Sequence, residues 1–111
     1  MKTILVVGRD WKFRALLRAQ LREDGYNALG FATLEEATEP LASSPPPVAL
    51  VFDTSDASPV EIRTELPGLA ARLPVVVVAA ADEPLDASLR ALRRPLRVED
   101  VAAAVKALVS A

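Results

Sequence analysis

Asp53 is the carboxylate with the clearest setting for chemistry. It follows the apolar run Val48-Ala49-Leu50-Val51-Phe52, a pattern that suits a strand buried on both faces of a parallel sheet. Three other short runs also lead to residues of interest. Ile4-Leu5-Val6-Val7 ends at Gly8-Arg9-Asp10, Val75-Val76-Val77-Val78 ends at Ala79-Ala80, and Leu89 to Leu92 leads into Arg93-Arg94-Pro95. In an open parallel sheet, ligands bind at the carboxyl ends of the strands, near the point where strand order reverses. One carboxylate and several arginines converge there. A carboxylate in that position can pair with a guanidinium or cap local backbone amides.

What is missing narrows the chemistry further. The 111 residues include no cysteine and no histidine, which removes thiolate nucleophiles, disulfides, the usual zinc ligands and the side chain that titrates near neutrality. Gly8 is a lone glycine outside any G-x-G-x-x-G pattern, so dinucleotide and nucleoside triphosphate sites lack their signature. No set of base, nucleophile and orienting residue can be assembled. The charge balance of 13 basic against 15 acidic residues, net -2, gives no global attraction to nucleic acid or to an acidic bilayer. No apolar stretch approaches the roughly 20 residues of a membrane span, and the run after Met1-Lys2-Thr3 is too short for a signal peptide, so the expected location is the cytoplasm.

The elements that must position these residues alternate. A strand at Ile4 to Val7 precedes a helix from Trp11 to Asp24, with Phe13, Leu16, Leu17 and Leu21 at helical spacing, Asp10 as N-cap and Gly25 as the C-terminal glycine. A weaker strand over Asn27 to Ala32 leads to Thr33 and Glu36, spaced as a capping box for a second helix that stops near Pro40 or Leu41. Ala42 to Pro47 is a stiff connection. Ser58, Pro59 and Glu61 open a third helix, which Pro67-Gly68 is expected to break or end. Four valines after Pro74 disfavour helix and make the clearest strand in the chain. Ala79 to Ala87 is interrupted by Pro84, so any helix there is short. Leu89 to Leu92 reads as a fifth strand, and Val98 onward as a terminal helix covering one sheet edge, with Glu99 and Asp100 in its first turn. Five strand-then-helix units over 111 residues predict one α/β domain spanning 1-111, a flavodoxin-like, doubly wound parallel sheet in three α/β/α layers, with the fourth helix shortened or missing.

In this arrangement Ile4-Leu5-Val6-Val7 at the start, Asp53 closing the third strand, Pro74-Val75-Val76 opening the fourth and Arg94-Pro95-Leu96 near the end resemble the receiver domain of bacterial response regulators. The resemblance covers nearly the whole chain and implies strand order 2-1-3-4-5. It also implies a phosphoacceptor at Asp53, an acid pair for Mg2+ at Gly8 and Arg9, a hydroxyl at Ala79 and a lysine at Arg94. Three of those positions lack the required chemistry. A glycine and an arginine replace two anionic oxygen ligands, so Mg2+ binding is expected to be lost or weak and no cofactor is expected. Without the metal, transfer to Asp53 loses its main electrostatic aid, and Ala79 cannot hydrogen-bond a phosphate.

The expected function is therefore an atypical, pseudo-receiver module of two-component signalling, non-enzymatic, binding a protein partner such as a histidine kinase or an effector, with a homodimer left open. Two alternatives stand beside it: a working phosphoacceptor receiver that uses Asp10 as a displaced metal ligand, and a small flavodoxin-like enzyme or nucleotide-binding protein. At the site, Arg9 either pairs with Asp53 in place of the metal or points to solvent while Asp53 caps local amides. Asp10 reads first as an N-cap. Arg90, Arg93, Arg94 and Arg97 make the one dense basic cluster, explained either by an anionic ligand or by charge that keeps an edge strand from pairing. Trp11 is either a lid or partner anchor near the site or a residue packed at the start of its helix.

Overall fold

The valine run and its apolar counterparts form the centre of the molecule because strand residues alternate between two faces and both faces are covered. A computed structural model describes residues 1–110. In it β1 (Thr3–Val7), β2 (Asn27–Phe31), β3 (Ala49–Asp53), β4 (Val75–Ala79) and β5 (Arg90–Arg93) form one parallel sheet in the order β2-β1-β3-β4-β5. This is the doubly wound, flavodoxin-like architecture expected. Ile4, Val6, Val51, Val76 and Val78 face a core closed by Leu17, Leu21, Val101 and Val105. Leu5, Val7, Leu50, Phe52, Val75 and Val77 face a second core closed by Leu34, Ala37, Leu66 and Leu69.

Helix α1 (Trp11–Glu23) begins and ends for the reasons its sequence gives. The Asp10 carboxylate accepts from the amides of Lys12 and Phe13, and Gly25 takes φ +97°, the left-handed conformation that suits a residue without Cβ just past a helix end. Thr33 and Glu36 make the reciprocal hydrogen bonds of a capping box, yet the helix they open is short, a 3₁₀ turn at Glu35–Ala37 running into α2 (Thr38–Leu41).

The structure corrects two expectations and narrows a third. Pro67 does not stop its helix: a π turn at Glu61–Glu65 runs directly into α3 (Leu66–Ala70). The ring of a helical proline clashes with the carbonyl four residues earlier, and the wider π turn upstream relieves that clash while tolerating the missing N–H. The terminal helix α4 (Val98–Ser110) does not cover a sheet edge; it packs on α1 and over β3 and β4. Its buried face of Val101, Ala102 and Val105 belongs in the central core, not over a charged margin. The segment between β4 and β5 contains no helix at all, only turns and extended chain. The fourth helix is therefore missing rather than shortened.

Candidate functional site

Parallel order brings the ends of β1, β3, β4 and the start of the β5 exit loop to one rim, and Asp53 sits at its centre. Asp53 is the last residue of β3 and only 2% exposed. Gly8 lies directly against it. A Cβ built on Gly8 would stand 2.8 Å from the Asp53 Cβ, so the two strand ends approach more closely than any side chain allows. The resemblance implies for Gly8 only a metal-acid position; the structure gives the glycine a packing reason. Gly8→Ala should lower the urea midpoint by the equivalent of about 1–3 kcal/mol, the usual range for overpacking a tight site. An unchanged midpoint would show that the two strand ends part freely.

The Asp53 Oδ1 atom accepts from the Arg94 guanidinium at 2.8 Å and from the Ser55 amide at 3.0 Å. Arg94 is itself fixed from two sides. Its backbone amide donates to the Ala79 carbonyl, and its guanidinium lies over the Phe13 ring, 5.4 Å from the centroid, a cation–π geometry. A cavity of about 470 Å³, lined by Phe13, Ala80, Ala81, Arg94, Pro95 and Leu96, opens beside the pair. The other carboxylate oxygen, Asp53 Oδ2, is buried with no hydrogen-bond partner, as is one guanidinium nitrogen of Arg9.

Arg9 neither pairs with Asp53 nor points to solvent, the two arrangements expected for it, although Asp53 does cap the local Ser55 amide. Arg9 pairs instead with Glu61, at 2.6 Å. Glu61 is 5% exposed and also accepts from the amides of Leu34 and Ser58, so its carboxylate is already oriented when Arg9 meets it. Burial pushes the Glu61 carboxyl up, but the Leu34 amide, the Arg9 guanidinium and the Ser58 amide outweigh burial and hold it below the ordinary value of 4.5. The sequence shows Glu61 only as the partner of Ser58 in a capping box, which it is. Its longer reach to Leu34 and Arg9 joins the loops after β1, β2 and β3, and no local spacing reveals that.

Thr54 is the other residue that sequence reasoning missed. Its hydroxyl lies 2.6 Å from a Glu83 carboxylate oxygen, and that same oxygen accepts from the Ala80 amide. Arg93 closes the same loop by donating to the carbonyls of Ala80 and Glu83. Side-chain ties thus secure the connection where a helix is absent. The remaining predicted positions are plain. Ala79 is fully buried and offers only a methyl group, Asp10 caps α1, and Trp11 is 68% exposed.

These donors do not fit magnesium. The ion prefers octahedral oxygen ligation with carboxylates and waters, whereas Asp53 already faces Arg94 and the Asp10 carboxylate is engaged by helix amides. What the rim offers instead is two ion pairs, each with one nearly buried acid.

No protein-family model matches the chain, and no curated protein matches it either. Solved structures do. The receiver domain of the hybrid histidine kinase CckA superposes with a TM-score of 0.71 at 22% identity, over 96% of this chain and 98% of that one. A response regulator receiver protein from Burkholderia phymatum gives 0.75 at 22% identity, over 99% and 96%. A CheY-like receiver domain protein from Methanospirillum hungatei JF-1 gives 0.76 at 17% identity, over 99% and 94%. At such identities the likeness establishes the fold. The chain has the fold of response-regulator receiver domains.

Proposed function

We propose that the chain is a receiver-fold signalling module that acts by binding another protein, in one conformation held by Arg94 on Asp53, without Mg2+ and without phosphoryl transfer. The 2.8 Å contact between the Arg94 guanidinium and the buried Asp53 carboxylate carries this reading. Phosphoryl transfer asks for a carboxylate oxygen free to attack in line and for cations that neutralise the charge developing on the phosphoryl oxygens. Here Arg94 already sits on Oδ1, and Oδ2, though without a partner, is buried. Arg9, the residue at the second metal position, is turned to Glu61, and no hydroxyl follows β4 at Ala79. A fixed guanidinium replaces a switchable phosphate, so the surface around it stays constant and is suited to constitutive recognition.

The partner is proposed to belong to a signalling assembly, a histidine kinase or an effector, because the structural neighbours include the receiver domain of a hybrid histidine kinase. No helix among the described residues is long and apolar enough to cross a membrane. Trp11 supplies the test. It is the chain's one tryptophan and sits in the first turn of α1, two residues before the ring that Arg94 covers. Its fluorescence should stay constant through a titration with millimolar Mg2+, alone or with beryllofluoride as a phosphoryl mimic. A saturable change that disappears in Asp53→Ala would replace this reading with that of a working phosphoacceptor.

A further inference from the structure

The two edges of the sheet are treated differently. On β2 the amide of Asn27 donates to Lys2 and the carbonyl of Phe31 accepts from Gly8, so the odd-numbered residues face β1 and Ala28 and Gly30 face outward. That outer edge is covered by α1: Arg18 and Arg22 both donate to the Ala28 carbonyl. On β5 the amide of Arg94 donates to the Ala79 carbonyl, so even-numbered residues face β4 and the backbone groups of Ala91 and Arg93 face outward. No helix lies between β4 and β5 to cover that edge, and Arg90 and Arg93 are exposed on it.

At the start of β5 a cavity of about 620 Å³ opens, lined in part by Arg72, Ser88, Leu89, Arg90 and Leu108. Neither Arg72 nor Arg90 takes part in an ion pair among the described residues. An open edge that displays two backbone donors and two acceptors, beside a cavity with two unpaired guanidiniums, fits one kind of occupant. We infer that β5 accepts an extended acidic peptide segment of a partner protein as a sixth strand, with a carboxylate of that segment held between Arg72 and Arg90. Main-chain hydrogen bonds supply the affinity of such strand addition and side-chain pockets the specificity. The arginines set the sign: a second copy of β5 would bring Arg90 and Arg93 against their own kind, which disfavours self-pairing and leaves an acidic strand favoured.

This deepens the protein-binding reading and is tested separately from it. Amide hydrogen exchange of the full chain is followed by NMR with a short capped peptide of alternating glutamate and valine, and with its lysine-valine counterpart. Exchange at Ala91 and Arg93 should slow on the order of tenfold with the glutamate peptide and not with the lysine peptide, while Ala28 and Gly30 stay unchanged. Arg72→Glu combined with Arg90→Glu should reverse the preference between the two peptides. Ala91→Pro removes an outward N–H without touching the ladder to β4 and should abolish the protection at Arg93; if that variant does not fold, the charge-reversed protein decides alone. Equal protection by both peptides, protection by neither, or protection that grows with protein concentration alone overturns the proposal. A Trp11 response to beryllofluoride would overturn phosphorylation independence and leave the edge result intact.

Discussion

Arg94→Met should cost about 2–4 kcal/mol of folding stability, the largest loss expected from any substitution at the rim. Removing one partner of a buried ion pair leaves an uncompensated charge, typically worth 3–5 kcal/mol. The Arg94 side chain is 30% exposed, and solvent screening moves the expectation toward the lower end. Asp53, at 3% side-chain exposure, cannot rehydrate without opening the strand ends. Its Oδ2 atom already lacks a partner, so loss of Arg94 would leave the Ser55 amide as the single donor to the carboxylate. Adding Asp53→Asn to Arg94→Met should recover much of the loss, since the amide removes the stranded charge and keeps the shape. Arg94→Lys should fall between, because an ammonium keeps the charge but not the planar stacking on Phe13. Urea denaturation at neutral pH reads all of these as midpoints at constant slope. A loss under about 0.5 kcal/mol for Arg94→Met, the size of an ordinary surface substitution, would show that the pair does not lock Asp53.

That pairing is where sequence reasoning stopped short, and the reason is geometric. Gly8-Arg9, Asp53 and Arg94 could be assigned to strand ends because apolar runs of branched residues declare buried parallel strands. The run Val75 to Val78 and the caps Asp10 and Gly25 left little freedom in placing β4 and α1. Which arginine meets which acid depends on something strand ends do not encode. Glu61 is preoriented by the Leu34 amide, from a loop 27 positions away, and so takes Arg9. Arg94 is then aimed at Asp53 by Phe13 beneath it. Pro67 departs from its local signal for a related reason. Its missing N–H is a local fact, whereas the π turn that absorbs it is set by how Glu61 and Leu66 are buried together. The absent helix after β4 was half legible: Pro84 argued against it, but the ties from Thr54 to Glu83 and from Arg93 to Ala80 that replace it are long-range.

Glu61→Gln should lower stability by about 2–3 kcal/mol at neutral pH, and that difference should fade in acid. The carboxylate accepts from Arg9, Leu34 and Ser58, and a glutamine amide would set its own N–H against donors on at least one side, leaving a buried polar group unmatched. The sign of the pH dependence follows from the depressed carboxyl value. Burial raises it, but the amide and guanidinium donors prevail, so the folded value lies below the ordinary 4.5. Stability from Glu61 is therefore present in full above the unfolded glutamate value and is lost as the pH falls through the lower folded value. Wild type and Glu61→Gln should accordingly converge in urea midpoint as the pH drops below that window, and exchange at the Leu34 amide should quicken in the variant at neutral pH. A difference that persists unchanged into acid would mean that Glu61 acts by shape and not by charge. Convergence would mean that a carboxylate, paired with Arg9, joins the loops after β1, β2 and β3. Arg9 then serves as a strut for the interior, its charge met by Glu61 rather than by a group outside the fold.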